Sequence, residues 1–529
     1  MAPVQNPSPK SARFLALRPP LWPLSPLSQS RRALGILLVG AALLYGSGLG
    51  GTDLWAPDEP RYGAIAEELR SFRHGASGLV LLHLNDVPYT QKPPLYFWFA
   101  AAIGAPFDRV HEVAARLPSA IAGVFCIALT VWIGRLLFAR SMPAILAAGI
   151  LATSFRFAFT ARRAQLDVLL TCFELGAIAI FLLLESKRGG IEKARQFPLA
   201  IAGLHASLGA AALVKGPVGW LPLLVFAGYL AWEGRLRAFG AITPLWAWIL
   251  SIGPVTIWIL AAIALGPPGF ADAAVGENLI GRFFAGTSHA RPFYYYAIQL
   301  PLDFLPWSLV LPFSIPILWR WSRVSSNTAR GPFDAGFERA SSARFLLVWM
   351  ILPLIFFSLS AGKRGLYLLP IFPALALVGV LVGTRSSMTA QLTPIAVRRF
   401  ICAISIVAAL ELAGFTLALP LLENEKSPRP IAEATASLAR KGEPVGVYGM
   451  TPLEGGLAYY GAASLVSLRD EDQLRAFLNV GGELVLLRRR HFEVLHERFG
   501  LREMRSFRSG RRRLTLARRD ASNPQREKP

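Results

Sequence analysis

Apolar residues in this chain come in long runs separated by short polar connectors, not at the alternating or stripe-like spacings of a soluble fold. Eleven runs of about 17 to 23 residues, at 33–50, 116–138, 142–160, 167–185, 197–214, 217–232, 242–265, 296–319, 344–360, 366–384 and 400–422, have the length that carries a helix across a bilayer core. The pattern predicts a polytopic α-helical membrane protein with about 11–13 transmembrane helices. A twelfth run, 93–107, opens with Pro93 and Pro94 and is shorter than a span requires, so we read it as re-entrant or interfacial. No tandem repeat or heptad array is visible in the sequence.

From residue 423 the pattern changes. The segments "EPVGVYGM", "ASLVSL" and "ELVLLRRR" read as short strands, and the stretches near 430–441 and 470–479 read as helices. This alternation predicts a small soluble α/β domain over 423–529, with the basic end from Arg505 to Lys528 flexible. The first 32 residues contain five basic residues, seven prolines and no acid. They read as a disordered cytoplasmic tail ahead of a retained first helix, without the small-residue cleavage site of a signal peptide. The transmembrane part is then 33–422, with a first outer loop at 51–115.

Charge sharpens the topology. The net charge of +22 would point to nucleic acid in a soluble protein. Here much of the Lys and Arg lies in short connectors between apolar runs, as the positive-inside rule requires of cytoplasmic loops, and no nucleic-acid motif accompanies it. With a cytoplasmic N-terminus and a run 93–107 that does not cross, every basic-rich connector falls inside. The opposite face then collects the loop 51–115, the turn "TARRAQLD", Lys215, the loop 266–295, the turn "AGKRG" and the C-terminal domain. Cys126, Cys172 and Cys402 all lie within apolar runs, which argues against a disulfide framework or a zinc site built from them.

The outer face holds the unusual polar residues. In "LWAPDEPRYGAIAEELR", Pro60 suits the first turn of a helix and Asp58 or Glu59 its cap. Ala64, Ile65 and Leu69 supply one apolar stripe, so an amphipathic helix on the outer surface is expected. Arg61 and Tyr62 stand three and four residues after Asp58, on its side of that helix. "VPYTQKPPLYFW" closes the same loop with Tyr89, Gln91 and Lys92. Asp167 sits at the outer boundary of the fourth run with Arg162 and Arg163 just before it, and ionisable groups at that depth generally have a task or a partner. Lys215 interrupts two apolar runs at "LVKGPVG", and Lys363, Arg364 and Tyr367 lie in "GKRGLYLLP". Between them, Glu277, Arg282, His289 and Arg291 fall in a loop long enough to act as a lid. Cations at headgroup level suit a phosphate on a lipid, and a carboxylate beside them suits an attacking oxygen. A transporter or flippase of a lipid-linked sugar is the main alternative. It calls for polar residues at mid-membrane depth, on both faces and in internal repeats, a pattern the sequence lacks.

Taken in order, "APDEPRYGAIAEEL", "YTQKPPLYFW", "RLPSA" at Arg116 to Ala120, "ARRAQLDVLL", "LVKGP", "SHARPFYYY" and "SAGKRGLYLLP" resemble the motifs of the ArnT-like branch of GT-C glycosyltransferases, which are in turn similar to protein O-mannosyltransferases. The resemblance covers about 33–385. It implies a bacterial inner-membrane enzyme, active on the periplasmic side, that takes a sugar from a polyprenyl phosphate donor. In the best-known branch that sugar is 4-amino-4-deoxy-L-arabinose and the acceptor is lipid A; another glycolipid, or a protein, is the alternative acceptor. By position, the resemblance makes Asp58 and Asp167 the catalytic carboxylates. Arg61, Lys92, Lys215, Lys363 and Arg364 become the donor-phosphate ligands, and Glu59, Tyr62, Tyr89, Gln91, Arg116, Arg162, His289 and Tyr367 line the substrate site. Family members commonly carry Glu where this chain has Gln91, and that Glu with a His matching His289 looks like a metal pair. A neutral amide is a far poorer ligand for a divalent cation. The case for a metal cofactor is weakened accordingly, and His289 is left to hydrogen-bond substrate or to belong to the lid.

Overall fold

A computed structural model of the chain describes residues 26–187, 189–281, 290–323, 339–386, 389–461, 464–509 and 512–520. The first 25 residues of the expected tail lie outside these, as does the part of the outer loop that carries Arg282 and His289.

All eleven apolar runs are helical. In chain order the first elements are α1 (Pro26–Gly46), α2 (Asp58–Arg70), α3 (Leu95–Gly104), α4 (Glu112–Phe138), α5 (Ser141–Ala152), α6 (Phe155–Ala161), α7 (Leu166–Glu185), α8 (Pro198–Lys215) and α9 (Leu221–Trp232). Among the described residues six helical stretches are long and apolar enough to cross a membrane, and nine if each of three bent pairs is one span. The stretch Pro198–Trp232, continuous by that measure, is interrupted at Lys215. Gly216 takes φ +75°, a conformation open to glycine. There the chain doubles back so tightly that a Cβ on Gly219 would sit 2.3 Å from the Ala212 nitrogen. α3, the short apolar run, has 10 residues and is too short to span.

α7 is the most enclosed of the long spans up to residue 232, with 72% of its apolar window buried. Its Phe181 stacks on Phe226 of α9 at 4.1 Å and on Phe345 at 5.8 Å between ring centroids. Small residues let other spans close up, as where Gly134 of α4 faces Ala144 of α5. The Pro394–Leu421 span, only 11% buried, lies at the periphery.

After a short β3–β4 ribbon (Thr384–Ser386, Thr389–Leu392), the C-terminal region forms a five-stranded sheet of order β6-β5-β7-β9-β8. Its strands are β5 (Val445–Tyr448), β6 (Leu465–Leu468), β7 (Leu484–Arg488), β8 (Leu501–Ser509) and β9 (Arg512–Arg519). β5 pairs in parallel with β6 and β7, while β9 runs antiparallel to both β7 and β8. The expected flexible end is therefore corrected up to Arg519. Leu514, Leu516 and Ala517 of β9 are fully buried, and that burial holds an arginine-rich segment in the sheet.

A second correction concerns α2, which is not an exposed surface helix. Ten of its thirteen residues are buried, because α3 and α4 lie on one side and the Thr451–Tyr460 helix of the C-terminal region on the other. The crossing is made on glycines: a Cβ on Gly455 would meet the Arg61 Cα at 2.6 Å, and one on Gly63 would meet Leu54 at 2.7 Å and the Tyr459 ring at 2.9 Å. Arg429 ties the same junction by pairing with Asp53 at 2.6 Å and Glu112 at 2.7 Å. Beyond α2 the loop forms a hairpin of β1 (His83–Leu84) and β2 (Val87–Pro88). Its turn residues Asn85 and Asp86 both have positive φ, as a type I′ turn needs. The Asn85 amide donates to the Leu465 carbonyl at 2.7 Å, fixing the hairpin to β6.

Candidate active site

Asp58 opens α2, but it does not cap it. The cap position is Pro57, and no side-chain capping bond forms there. Instead the Asp58 carboxylate, 6% exposed, accepts a hydrogen bond from Arg364 at 2.9 Å and has Arg61 at 3.7 Å. Burial pushes this carboxyl up, yet Arg364, Arg61 and a hydrogen bond from Gln165 outweigh it and hold it below the usual carboxylate range. Arg364 reaches Asp58 from extended backbone just before the helical turn Gly365–Ile371.

Asp167 lies in the first turn of α7, where the helix dipole favours a negative charge. It is 5% exposed and hydrogen-bonds the Lys215 ammonium. That ammonium sits at the corner between α8 and α9, 4.6 Å from the centre of the Tyr367 ring. Arg364 and Tyr62 are within electrostatic reach of both Asp58 and Asp167. Arg61 interacts with Tyr89 as well as Asp58. Asp58, Arg61, Tyr62, Tyr89, Asp167, Lys215, Arg364 and Tyr367 are thus brought into one cluster from five separate stretches of the chain.

Four of the expected site residues stand elsewhere. Glu59 is fully buried and bidentate with Arg116 at 2.9 and 3.1 Å; it also pairs with Arg163 at 2.8 Å and accepts from the Trp55 and Ala164 amides. Arg116 donates further to the Thr52 and Asp53 carbonyls. Burial raises the Glu59 carboxyl, and Arg116 with Arg163 more than reverses that, so it titrates below its ordinary value. With every oxygen occupied inside the protein, Glu59 and Arg116 form a frame under the first turn of α2 rather than a substrate surface. Arg162 likewise donates to the Leu44 and Ser47 carbonyls and lies over Phe415. Lys363 was expected on donor phosphate, but its ammonium is buried against the Arg291 and Ser360 carbonyls. It fastens residue 291 to the turn, next to the Ala290–Gly362 bridge.

Gln91 and Lys92 are half-buried in the segment between β2 and α3. His289 lies outside the described residues. The donor set expected for a divalent cation is incomplete, because Gln91 offers an amide in place of a carboxylate. Two residues not singled out in the sequence belong to this neighbourhood. Gln165 hydrogen-bonds Asp58, and its signal was its place two residues before Asp167. Glu174, 2% exposed, lies within electrostatic reach of Lys215 and Asp167. Its signal was a lone acid two turns below Asp167 in an otherwise apolar run.

Several known proteins are similar to this chain in sequence or in fold. Residues 52–268 match the family model described as dolichyl-phosphate-mannose-protein mannosyltransferase. An undecaprenyl phosphate-alpha-4-amino-4-deoxy-L-arabinose arabinosyl transferase of Pseudomonas fluorescens is 32% identical over 359 residues, which is 66% of this chain and 59% of that relative's length. The crystal structure of ArnT from Cupriavidus metallidurans bound to undecaprenyl phosphate matches with a TM-score of 0.71 at 19% identity, over 95% of this chain and 100% of that one. The oligosaccharyltransferase of Archaeoglobus fulgidus, tethered with an acceptor peptide, matches with a TM-score of 0.56 at 13% identity, over 87% of this chain and 69% of that one. The chain is thus similar in sequence to the undecaprenyl phosphate-aminoarabinose arabinosyl transferases over about two thirds of its length, and it shares the fold of the ArnT crystal structure over nearly all of it.

Proposed function

We propose that this chain is a membrane glycosyltransferase. It moves a sugar from a polyprenyl (undecaprenyl) phosphate donor to a lipid or glycolipid acceptor, lipid A first among them, at the periplasmic face of the bacterial inner membrane. The observation that carries the reading is the meeting of two carboxylate–cation pairs, Asp58–Arg364 and Asp167–Lys215, beside Arg61 and three tyrosines. Relatives named for undecaprenyl phosphate and aminoarabinose support the donor and the sugar class.

In the proposed reaction an acceptor oxygen attacks the anomeric carbon of the sugar. The bond from that carbon to the donor phosphate oxygen breaks, its electron pair stays on the phosphate, and the anomeric configuration inverts. Lys215, Arg61 and Arg364 meet the charge that develops on the departing phosphate, the electrostatic contribution that is commonly the largest in such sites. A donor phosphate competes with Asp167 for Lys215 and with Asp58 for Arg364. Asp58, held below the usual carboxylate range, is a weak proton acceptor at neutral pH. It therefore suits an acceptor that is already an anion, such as a lipid phosphate, which needs no deprotonation, and Asp58 then serves by holding Arg364 and Arg61 in place. No step uses a metal.

The test is mass spectrometry of total lipids, lipid A and polyprenyl phosphate sugars from cells lacking this protein, complemented with wild type or with Asp58→Asn. Accumulation of one lipid-linked sugar with loss of one modified product, in both the null and the Asp58→Asn cells, is the expected result. Wild-type lipids from Asp58→Asn at equal expression would remove Asp58 from catalysis.

A further inference from the structure

We propose that Glu68, His74 and Asp86 form a binding site for a divalent cation of the zinc class, separate from the Asp58 centre. Glu68 stands near the end of α2, His74 follows the helix, and Asp86 is at the tip of the β1–β2 hairpin. His74 Nε2 lies 3.0 Å from Glu68 Oε2 and 3.4 Å from Asp86 Oδ1, and the three atoms are all within 4.8 Å of one another. Ligand atoms bonded tetrahedrally to zinc at about 2.0–2.1 Å stand about 3.3 Å apart, so these separations need only small adjustment to close on an ion.

The surroundings are those of an oriented ligand set. Each carboxylate turns one oxygen to the cluster and has the other held by the protein: Glu68 Oε1 accepts from the Asn85 backbone N–H at 2.5 Å, and Asp86 Oδ2 accepts from Arg73 at 2.6 Å. The His74 ring is fixed by stacking on His83, with centroids 3.7 Å apart and planes inclined by 17°. Such second contacts orient metal ligands and tune their affinity. One imidazole and two carboxylates leave a fourth position for water, and the Asp86 side chain, 48% exposed, provides an entry path.

A cation here would join the far end of α2 to a hairpin that Asn85 already anchors to β6. That hairpin runs on into Tyr89, the neighbour of Arg61. The site would thus brace the active-site loop without taking part in the chemistry.

The experiment is calorimetric titration of chelator-treated full-length protein in nanodiscs with zinc ion alone, with bound zinc counted by elemental analysis. One equivalent is expected. Asp86→Asn should weaken it about 10–100-fold, His74→Ala should abolish it, and His289→Ala should leave it unchanged. Asn tolerates the positive φ at position 86, so Asp86→Asn removes a ligand without unsettling the turn. Zinc should raise the unfolding temperature of wild type and not that of Asp86→Asn. Absence of stoichiometric zinc, or equal affinity in Asp86→Asn, would overturn the proposal and leave His74 as an ion-pair partner of the two carboxylates.

Discussion

Asp58 and Arg364 share a hydrogen bond of 2.9 Å although 306 residues separate them in the chain. The bond joins the first outer loop to the turn after the Arg339–Leu359 span, so neither partner can be replaced without releasing the other. In the proposed reaction Asp58→Asn and Arg364→Ala should each lower transfer by about 10²–10³-fold, the usual range for removing one preorganised electrostatic group. The double variant should lose much less than the product of the two, because contacting residues are not additive. Single-turnover assays with a radiolabelled lipid-linked sugar measure all three.

Lys215 should separate from Asp58 kinetically. An ammonium that holds donor phosphate in both ground and transition states contributes to both KM and kcat. Lys215→Ala is expected to raise the half-saturating donor concentration at least tenfold in addition to lowering kcat. An unchanged KM for donor would place Lys215 outside the donor site.

The Glu59 frame should report on stability. Removing its carboxylate leaves Arg116 and Arg163 buried and unpaired, a loss of about 3–5 kcal/mol in comparable buried pairs. Glu59→Ala should therefore unfold at a clearly lower temperature in detergent. The pH dependence has a definite sign. The Glu59 carboxyl titrates below its ordinary value of 4.5, so its stabilisation is full above about pH 4.5 and fades as pH falls further. Glu59→Gln should lose that acid-sensitive component, read as a flatter profile of unfolding temperature between pH 5 and pH 3.

Gly455 supplies a test remote from the chemistry. A methyl group there would lie 2.6 Å from the Arg61 Cα, and backbone cannot give way as a side-chain tip can. Gly455→Ala should cost about 1–3 kcal/mol and lower transfer by displacing α2. Gly442→Ala, where the added Cβ meets nothing within 4 Å but φ is +80°, should affect stability alone.

Much of this architecture is legible in the sequence because lipid leaves little freedom. A backbone crossing a bilayer must satisfy its own hydrogen bonds, so each crossing appears as a long apolar run, and all eleven runs are helical. The cluster of Asp58, Asp167, Lys215 and Arg364 is legible as types of residue gathered on one face. The roles of neighbours are not. Asp58 and Glu59 are adjacent acids, and successive helical positions point about 100° apart. Which one faces the cluster and which is locked against Arg116 depends on what packs around α2, and that comes from residues 50 to 400 positions away. Lys363 looks like a phosphate ligand until the carbonyls that bind it are seen. β8 and β9 were hidden by their exposed arginines, which flank the short buried run from Leu514 to Ala517.

The corner at Lys215 fixes a height. An isolated lysine near a membrane boundary slides along its flexible stem to find water. This one is carried where the chain reverses at Gly216 and packs Gly219 against α8, and its partner Asp167 begins a helix at the same level. Both ends of the pair are therefore set by backbone, at a depth the lipids do not choose. In the proposed reaction a donor phosphate that takes Lys215 from Asp167 is held in a plane defined by the protein, and a bilayer of different thickness must deform around that plane rather than move it.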